Sequence, residues 1–207
     1  MNINNFDALI FDFDGTLLNS EPYHKQAHSL VLSEILNKEI NLSNKDFERY
    51  IGKKDEEIYE MFKIDFNVDF NTKEMVDKKV ETAKNLLLNE NVEIYKYFYE
   101  LLKQKDNKKF YIVSNQDENL LLSVLKHKNI LKYFDDVFCL PKLSIKKDYF
   151  YQNIKDFIPK ANNILVFEDD VKVLNFLKSI GYNVVAIKNE MNKQTINFEK
   201  FKYIIDC

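Results

Sequence analysis

Two carboxylates separated by one residue directly follow an apolar run near the start of the chain. The run reads FDALIF, and Asp12, Asp14 and Gly15 come next. Alternate side chains of an extended chain point the same way, so Asp12 and Asp14 would repel each other unless a cation lies between them. Mg²⁺ is usually held by one or two carboxylates together with substrate phosphate. A following glycine lets backbone N–H groups approach an anion closely. This pattern favours a site for a divalent cation and a phosphoryl group.

Two later apolar runs end in polar residues in the same way. KFYIV is followed by Ser114 and Asn115, and NILVF is followed by Glu168 and Asp169. Ligands gather at the carboxyl ends of parallel strands, so we expect the three sets of side chains to meet at one edge of a sheet. Taken alone, the first set is also typical of a plain aspartate–glycine turn. The convergence of three sets favours the metal site.

The order of the elements predicts the fold class. After about residue 90, short apolar runs alternate with helical patterns of ten or more residues, which indicates crossover connections and a parallel sheet. From about residue 22 to 89, helical periodicity dominates. The sequence therefore predicts an α/β protein: a Rossmann-like parallel sheet flanked by helices, with an all-helical domain inserted after the first strand. We expect residues 1–17 and 90–207 to form the core and residues 18–89 the insertion.

Composition excludes several classes of function. The 207 residues carry a net charge of -3, which gives no basic surface for nucleic acid. No run of about 18 apolar residues occurs, so we expect no membrane span. The N-terminus lacks the pattern of a signal peptide, and the two cysteines do not suggest a disulfide framework. We therefore expect a cytoplasmic protein, a monomer with a dimer as the alternative.

Three segments together carry a family resemblance. FDFDGTLLNSEPYH resembles the first motif of haloacid dehalogenase (HAD) superfamily hydrolases, in particular the phosphatase and β-phosphoglucomutase-like branch. YIVSNQ is similar to the second motif, and ILVFEDDVKVLNFLKSIGYNVVAI to the fourth. The resemblance covers nearly the whole chain. It implies that the helical insertion is a cap domain, which this branch places directly after the first motif.

The resemblance also implies catalytic roles and Mg²⁺ as the cofactor. Asp12 would attack phosphorus and become an aspartyl phosphate. Asp14 would protonate the leaving alcohol and then deprotonate the attacking water. The metal ligands would be Asp12, the main-chain carbonyl of Asp14, and Asp169, with Glu168 as a further or water-mediated ligand.

The phosphoryl group would be held by residues of the first two motifs. Ser114 and the backbone near Asn115 would bind phosphoryl oxygens, and Gly15 would bring backbone N–H groups close to them. Charge stabilisation and in-line positioning dominate phosphoryl transfer, so these groups matter as much as the nucleophile.

The third motif is the point where the chain departs from the family. Relatives usually place a Lys-Pro pair before a helix, whereas this chain reads CLPKLSIKKDYFYQNI. Lys146 has the best position relative to the following helix and is the predicted phosphate-binding lysine, with Lys142 and Lys147 as competitors. Asp170 stands where a small hydroxyl residue is common. We interpret it as a helix N-terminal residue rather than a metal ligand.

Candidate substrate contacts lie in the predicted cap. They are Ser20, Glu21 and His24, just past the first motif, and the turn around Gly52. In β-phosphoglucomutase-like proteins a basic residue precedes the matched glycine, whereas here the residue is Ile51, which argues against mutase activity.

Ordinary structural roles are the alternatives for the histidines. His24 is also typical of an exposed helix histidine, and we interpret His28 and His127 as ordinary helix-face residues.

The leading hypothesis is a Mg²⁺-dependent phosphatase. Its partner would be a small phosphorylated metabolite: a sugar phosphate, phosphoglycolate, or a polyol or amino-alcohol phosphate. A phosphomutase of similar architecture is the alternative. A dehalogenase needs neither Asp14 nor a metal, so the presence of Asp14 argues against this alternative. A non-catalytic regulatory or binding protein on the same fold would be natural if Asp12 or Asp169 were missing, and both are present.

Overall fold

The computed structural model describes residues 3–50, 53–193 and 197–207, apart from the side chain of Glu48. The chain divides into two compact units. The first takes in the described residues up to Asn19 together with Glu93–Cys207, and the second is Ser20–Val92. None of the helices in these ranges is both long and apolar enough to cross a membrane.

The first unit is built on a parallel sheet, and this confirms the predicted fold class. Within the described residues the sheet has six strands in the order β3-β2-β1-β4-β5-β6. β1 lies in the middle, where Phe11 pairs with Ile112 of β2 and with Phe167 of β4. From β1 the chain adds β2 and β3 on one side of the sheet and then β4, β5 and β6 on the other. Ligands bind at such a switch point in open sheets of this kind. The strands are β1 (Ala8–Phe11), β2 (Lys109–Ser114), β3 (Asp136–Cys139), β4 (Ile164–Glu168), β5 (Asn183–Lys188) and β6 (Tyr203–Asp206).

Burial on both faces explains why the central strands read as continuous apolar runs. The side chains of β1 from Ala8 to Phe11 are all 0% exposed, as expected for strands covered by helices on both sides. The Phe11 ring stacks on Phe167 at a centroid distance of 4.7 Å. The helices of this unit are α5 (Lys96–Leu102), α6 (Glu118–His127), α7 (Leu140–Leu143), α8 (Lys147–Gln152), α9 (Ile154–Phe157) and α10 (Val171–Ser179).

The second unit is helical throughout its described residues. Asn37 and Asn67 adopt left-handed backbone conformations that end the first and third helices. Asn71 caps the fourth helix by accepting a hydrogen bond from the N–H of Glu74 at 3.2 Å. The α-helices are α1 (Glu21–Leu36), α2 (Asn44–Phe47), α3 (Asp55–Phe66) and α4 (Thr72–Asn89).

Three polar side chains meet between these helices, and we call them the helical cluster: His28 and Lys79, which are buried, and Asp55, which is half-buried. Lys79 Nζ lies 2.8 Å from Asp55 Oδ2, and His28 Nε2 lies 3.4 Å from Asp55 Oδ1. His28 is 1% exposed, so the interpretation of His28 as an ordinary helix-face residue is wrong. The helix turns its ring inward, where it contacts Phe47 and Tyr59.

The helical cluster carries one acid that stays ionised. Burial lowers the pKa of His28 to about 4, so this side chain is neutral at pH 7. Burial alone would raise the pKa of Asp55, but the hydrogen bond from His28 and the charge of Lys79 outweigh it and hold that pKa well below its ordinary value. The cluster therefore contains one negative and one positive charge.

Candidate active site

Three carboxylates and one lysine meet at the carboxyl ends of β1 and β4. We call these residues the strand-end cluster: Asp12, Lys147, Glu168 and Asp169. Asp12 follows β1 directly, and Glu168 is the last residue of the neighbouring strand β4. One carboxylate oxygen from each of the three acids lies within 4.8 Å of the others. The sheet thus brings together side chains that are more than 150 residues apart in the sequence.

The loop after β1 is folded tightly against Asp169. Phe13 points into the core and is 0% exposed, as the alternation of side chains predicts. Gly15 has a φ of +68°, a conformation that favours glycine. A Cβ atom at Gly15 would lie 2.4 Å from Asp169 Oδ2. A glycine is therefore favoured both by the backbone conformation and by the close approach of the carboxylate.

Lys147, not Lys146, is the lysine of this site. Its Nζ lies 2.8 Å from Asp12 Oδ1 and 2.8 Å from Glu168 Oε2, and the side chain is buried. Lys146 is the exposed N-cap residue of α8, and Lys142 is also exposed. The lysine at the strand-end cluster is therefore Lys147 and not the predicted Lys146, because the first turn of α8 directs only Lys147 towards the sheet.

The strand-end cluster contains more carboxylate than cation. Burial and the nearby Glu168 carboxylate raise the pKa of Asp12 well above its ordinary value, although Lys147 opposes them. Burial also raises the pKa of Glu168 despite the same lysine. For Lys147, burial would lower the pKa, but the two carboxylates raise it well above the usual value. A second cation would favour the ionised form of both acids, and a cluster of carboxylate oxygens is the kind of donor set that Mg²⁺ takes.

Asp14 and Ser114 are linked by a residue to which the sequence assigned no role. Gln116 donates a hydrogen bond from Nε2 to Asp14 Oδ2 at 2.9 Å, and its backbone N–H donates to Ser114 Oγ at 3.0 Å. Asp14 is half-buried and Ser114 is 2% exposed, whereas Asn115 is exposed. The end of β2 is therefore tied to the loop after β1, as the predicted convergence requires.

Asp170 is a helix-capping residue, as we interpreted it. It is the N-cap residue of α10, and its Oδ1 accepts a hydrogen bond from the N–H of Lys172 at 2.7 Å. The neighbouring Glu168 also helps to form this helix start, because its Oε1 accepts from the N–H groups of Asp169 and Asp170 at 3.2 and 3.1 Å.

Asn189 and Asn192, which follow β5, were missed by the sequence reasoning. Asn189 Nδ2 donates to Asp169 Oδ2 at 3.0 Å, and Thr16 Oγ1 donates to Asp169 Oδ1 at 3.0 Å. The available signal was an Asn-x-x-Asn segment directly after a buried strand. The segment has a single acid, Glu190, and no pair of carboxylates, so it had no metal-ligand pattern to mark it.

The predicted substrate contacts fall in the second unit. Ser20 is the N-cap residue of α1 and is 0% exposed, and Glu21 is the first residue of that helix. His24 is 7% exposed, so the alternative of an exposed helix histidine is wrong. Gly52 and Ile51 lie outside the described residues. That any of these residues contacts a substrate stays a prediction.

Solved structures of known proteins share this fold. CbbY from Rhodobacter sphaeroides in complex with phosphate is 14% identical, with a TM-score of 0.78 over 97% of this chain and 93% of that chain. A mutant of CbbY in complex with xylulose-(1,5)bisphosphate is 13% identical, with a TM-score of 0.78 and the same coverage. YfnB from Bacillus subtilis, bound to magnesium, is 15% identical, with a TM-score of 0.76 over 97% of this chain and 94% of that chain.

A further structure and a family model complete the comparison. A HAD hydrolase of family IA, variant 3, from Entamoeba histolytica is 18% identical, with a TM-score of 0.79 over 96% of this chain and 92% of that chain. Identities this low establish the fold alone. No curated protein sequence matches the chain significantly. The model of the haloacid dehalogenase-like hydrolases matches residues 9–200, and the chain belongs to this family.

Proposed function

We propose that the protein is a Mg²⁺-dependent phosphatase that hydrolyses a small phosphate ester through an aspartyl-phosphate intermediate. One observation carries the proposal: carboxylate oxygens of Asp12, Glu168 and Asp169 lie within 4.8 Å of one another, and Lys147 Nζ lies 2.8 Å from Asp12. A nucleophile, a set of metal ligands and a fixed cation therefore meet at one point.

The donor set fits Mg²⁺. Asp12 and Asp169 would hold the ion, together with the main-chain carbonyl of Asp14, and Glu168 would serve as a further or water-mediated ligand. When bound, the ion supplies positive charge beside the phosphoryl oxygens. Magnesium bound to YfnB, a structural neighbour, supports this assignment.

In the first half-reaction, a carboxylate oxygen of Asp12 forms a bond to phosphorus while the bond from phosphorus to the ester oxygen breaks. Asp14 gives its proton to the departing oxygen, so the alcohol leaves neutral. The hydrogen bond from Gln116 holds the Asp14 carboxyl group in place at 2.9 Å. Lys147 offsets the negative charge that gathers at Asp12 and the phosphoryl group.

In the second half-reaction, Asp14 takes a proton from a water molecule. The water oxygen forms a bond to phosphorus, the bond from phosphorus to Asp12 breaks, and inorganic phosphate is released. Asp14 ends protonated and Asp12 ends as a carboxylate, so both return to the states in which they began.

The family and the structural neighbours support a substrate class. CbbY has been solved with phosphate and with xylulose-(1,5)bisphosphate, which supports a phosphorylated metabolite as the substrate. A sugar phosphate, phosphoglycolate, and a polyol or amino-alcohol phosphate are the candidates.

The test is hydrolysis of p-nitrophenyl phosphate by the wild type and by Asp12→Asn, each with Mg²⁺ and with EDTA. We expect wild-type turnover that requires Mg²⁺, and a loss of at least about a thousandfold in Asp12→Asn. Asp156→Asn is the matched control, because it makes the same change at an exposed position of α9. It should keep wild-type activity.

Three outcomes would contradict the proposal. Equal turnover in wild type and Asp12→Asn would remove Asp12 as the nucleophile. If the wild type hydrolysed neither the aryl phosphate nor a panel of metabolite phosphates, the non-catalytic alternative would replace the phosphatase. Phosphoryl transfer between sugar phosphates without release of inorganic phosphate would instead identify a mutase.

A further inference from the structure

The end of a third strand, β5, reaches the strand-end cluster. Asn189 directly follows β5, the neighbour of β4 in the sheet, and is 4% exposed. Its side chain points at the loop after β1 and at Asp169, the two segments that the proposed metal site combines. A buried amide in such a place has to satisfy its donors and acceptors within the protein.

All the hydrogen-bonding capacity of the Asn189 side chain is used. Oδ1 accepts from the N–H groups of Met191 and Asn192, both at 3.0 Å. Nδ2 donates to the Gly15 carbonyl at 2.9 Å and to Asp169 Oδ2 at 3.0 Å. Exchanging the oxygen and nitrogen would place an acceptor against two acceptors and a donor against two donors, so these partners fix the orientation of the amide.

Asn192 holds Asn189 in this position. Its Oδ1 accepts from the N–H of Asn189 at 2.9 Å, and its Nδ2 donates to the carbonyls of Ile187 at 2.9 Å and Asp169 at 3.1 Å. Asn192 is 6% exposed. The two asparagines therefore form a reciprocal pair that fastens the end of β5 to the segment after β4.

Asp169 is consequently held at both carboxylate oxygens by neutral donors. Thr16 Oγ1 bonds Oδ1 at 3.0 Å, and Asn189 Nδ2 bonds Oδ2 at 3.0 Å. Because the nearby carboxylates of Asp12 and Glu168 repel Asp169, these bonds keep it from rotating away. A lysine or arginine in place of Asn189 would also hold Asp169, but its charge would compete with a metal ion. A neutral amide orients the carboxylate and leaves its charge available to a cation.

We propose that Asn189 is a positioning residue that presents Asp169 to the metal ion and thereby sets the affinity of the site for Mg²⁺. This inference rests on the proposed function, because it takes Asp169 as a metal ligand. Groups that orient metal ligands typically contribute 10–100-fold to metal affinity, so removing the Asn189 amide should weaken Mg²⁺ binding by roughly that factor.

The test is titration calorimetry of Mg²⁺ binding to the full-length protein in the absence of substrate. Asn189→Ala should bind roughly 10–100-fold more weakly than the wild type. Asn192→Ala loosens the same turn without removing the contact to the Asp169 carboxylate, and it should weaken binding less. Asn162→Ala, an exposed asparagine beside the amino end of β4, should bind like the wild type.

A second variant covers the case in which Asn189→Ala does not fold. Asn189→Ser keeps a hydroxyl that can accept from the N–H groups of the turn, although more weakly, and lacks the amide that reaches Asp169. It should show the same loss of Mg²⁺ affinity as Asn189→Ala.

The outcomes separate the two proposals. If the wild type binds Mg²⁺ and both Asn189 variants bind it equally well, the positioning role is overturned and the phosphatase proposal stands. An equal loss in Asn189→Ser and Asn192→Ala would assign the effect to the turn, which also overturns the role of the amide. If the wild type binds no Mg²⁺, the proposed metal site fails, and the inference fails with it.

Discussion

The two units of the molecule each bury a cluster of ionisable side chains, and the acids of the two clusters respond in opposite ways. In the strand-end cluster the pKa of Asp12 is well above its ordinary value, whereas in the helical cluster the pKa of Asp55 is well below it. Each acid contacts one lysine at 2.8 Å. A lysine partner is common to both and does not explain the difference. The side chain of Asp12 is also the more buried of the two, at 12% exposed against 25% for Asp55.

Besides burial, the balance of charge separates the two acids. Among the side chains that the structure describes, no second carboxylate pairs with the lysine of Asp55, and Asp55 accepts a hydrogen bond from neutral His28. Asp12 shares Lys147 with Glu168, and Asp169 lies close by. A balanced cluster is complete as it stands and stabilises the fold. An excess of carboxylate is costly for the fold alone, so the imbalance points to a ligand that supplies positive charge.

The largest expected effect comes from breaking the balanced cluster. Lys79→Met leaves the half-buried Asp55 carboxylate without its cation, which should lower the free energy of unfolding by up to about 3–5 kcal/mol. Urea denaturation at pH 7 measures this. Lys73→Met, at an exposed position of the same helix, should change stability little. Equal stability of the Lys79 and Lys73 variants would show that the helical cluster does not hold its helices together.

Removing the lysine of the unbalanced cluster should instead affect catalysis. Lys147→Met leaves Asp12 beside Glu168 without a cation, so Asp12 becomes harder to ionise and the phosphoryl charge loses a partner. We expect kcat for p-nitrophenyl phosphate to fall by roughly 10²–10³-fold. Lys146→Met is the matched control at the next position along the chain. A similar loss in both variants, or none in Lys147→Met, would contradict the assignment of Lys147.

The helical cluster should also give the protein a dependence of stability on pH. The pKa of His28 is about 4 in the folded protein against an ordinary value of 6.5. Between these values the unfolded chain binds a proton that the folded chain does not, so stability falls as the pH drops from about 6.5 to about 4. The loss from this residue should reach about 3 kcal/mol.

The measurement compares the wild type with His28→Leu by urea denaturation across this pH range. The free energy of unfolding of the wild type, relative to that of the variant, should fall by about 3 kcal/mol as the pH drops from about 6.5 to about 4. Comparing the two proteins cancels the titration of Asp12 and Glu168, whose raised pKa values act with the opposite sign. His127→Leu, at an exposed position, should follow the wild type. Parallel curves for wild type and His28→Leu would contradict the prediction.

Much of the fold and half of the site could be predicted from the sequence. Apolar runs that end in Asp12, Ser114 and Glu168 mark buried strands, and parallel strands place their carboxyl ends at a common edge. The sheet and the convergence of the acids follow from that rule alone. His28 was also within reach, because it lies four residues after His24 and three before Val31, on the face that the helix buries.

The roles of Lys147 and Asn189 depend on local geometry that a sequence pattern does not specify. Which of Lys146 and Lys147 faces the sheet depends on the residue at which α8 begins, and adjacent helix positions point about 100° apart. Asn189 acts through an amide in a loop, where asparagine is common for purely local reasons.

The smallest of the expected effects separates the two clusters most directly. Mg²⁺ at 100 times its dissociation constant should stabilise the wild type by about 2.7 kcal/mol, measured by urea denaturation with Mg²⁺ and with EDTA. Asp169→Asn removes a proposed ligand and should lose most of this gain, whereas His28→Leu, in the other unit, should keep it in full. An equal gain in Asp169→Asn would indicate nonspecific binding. The ion should bind only where carboxylates outnumber cations. If Mg²⁺ stabilises His28→Leu but not Asp169→Asn, the excess of carboxylate in the strand-end cluster is what binds the ion.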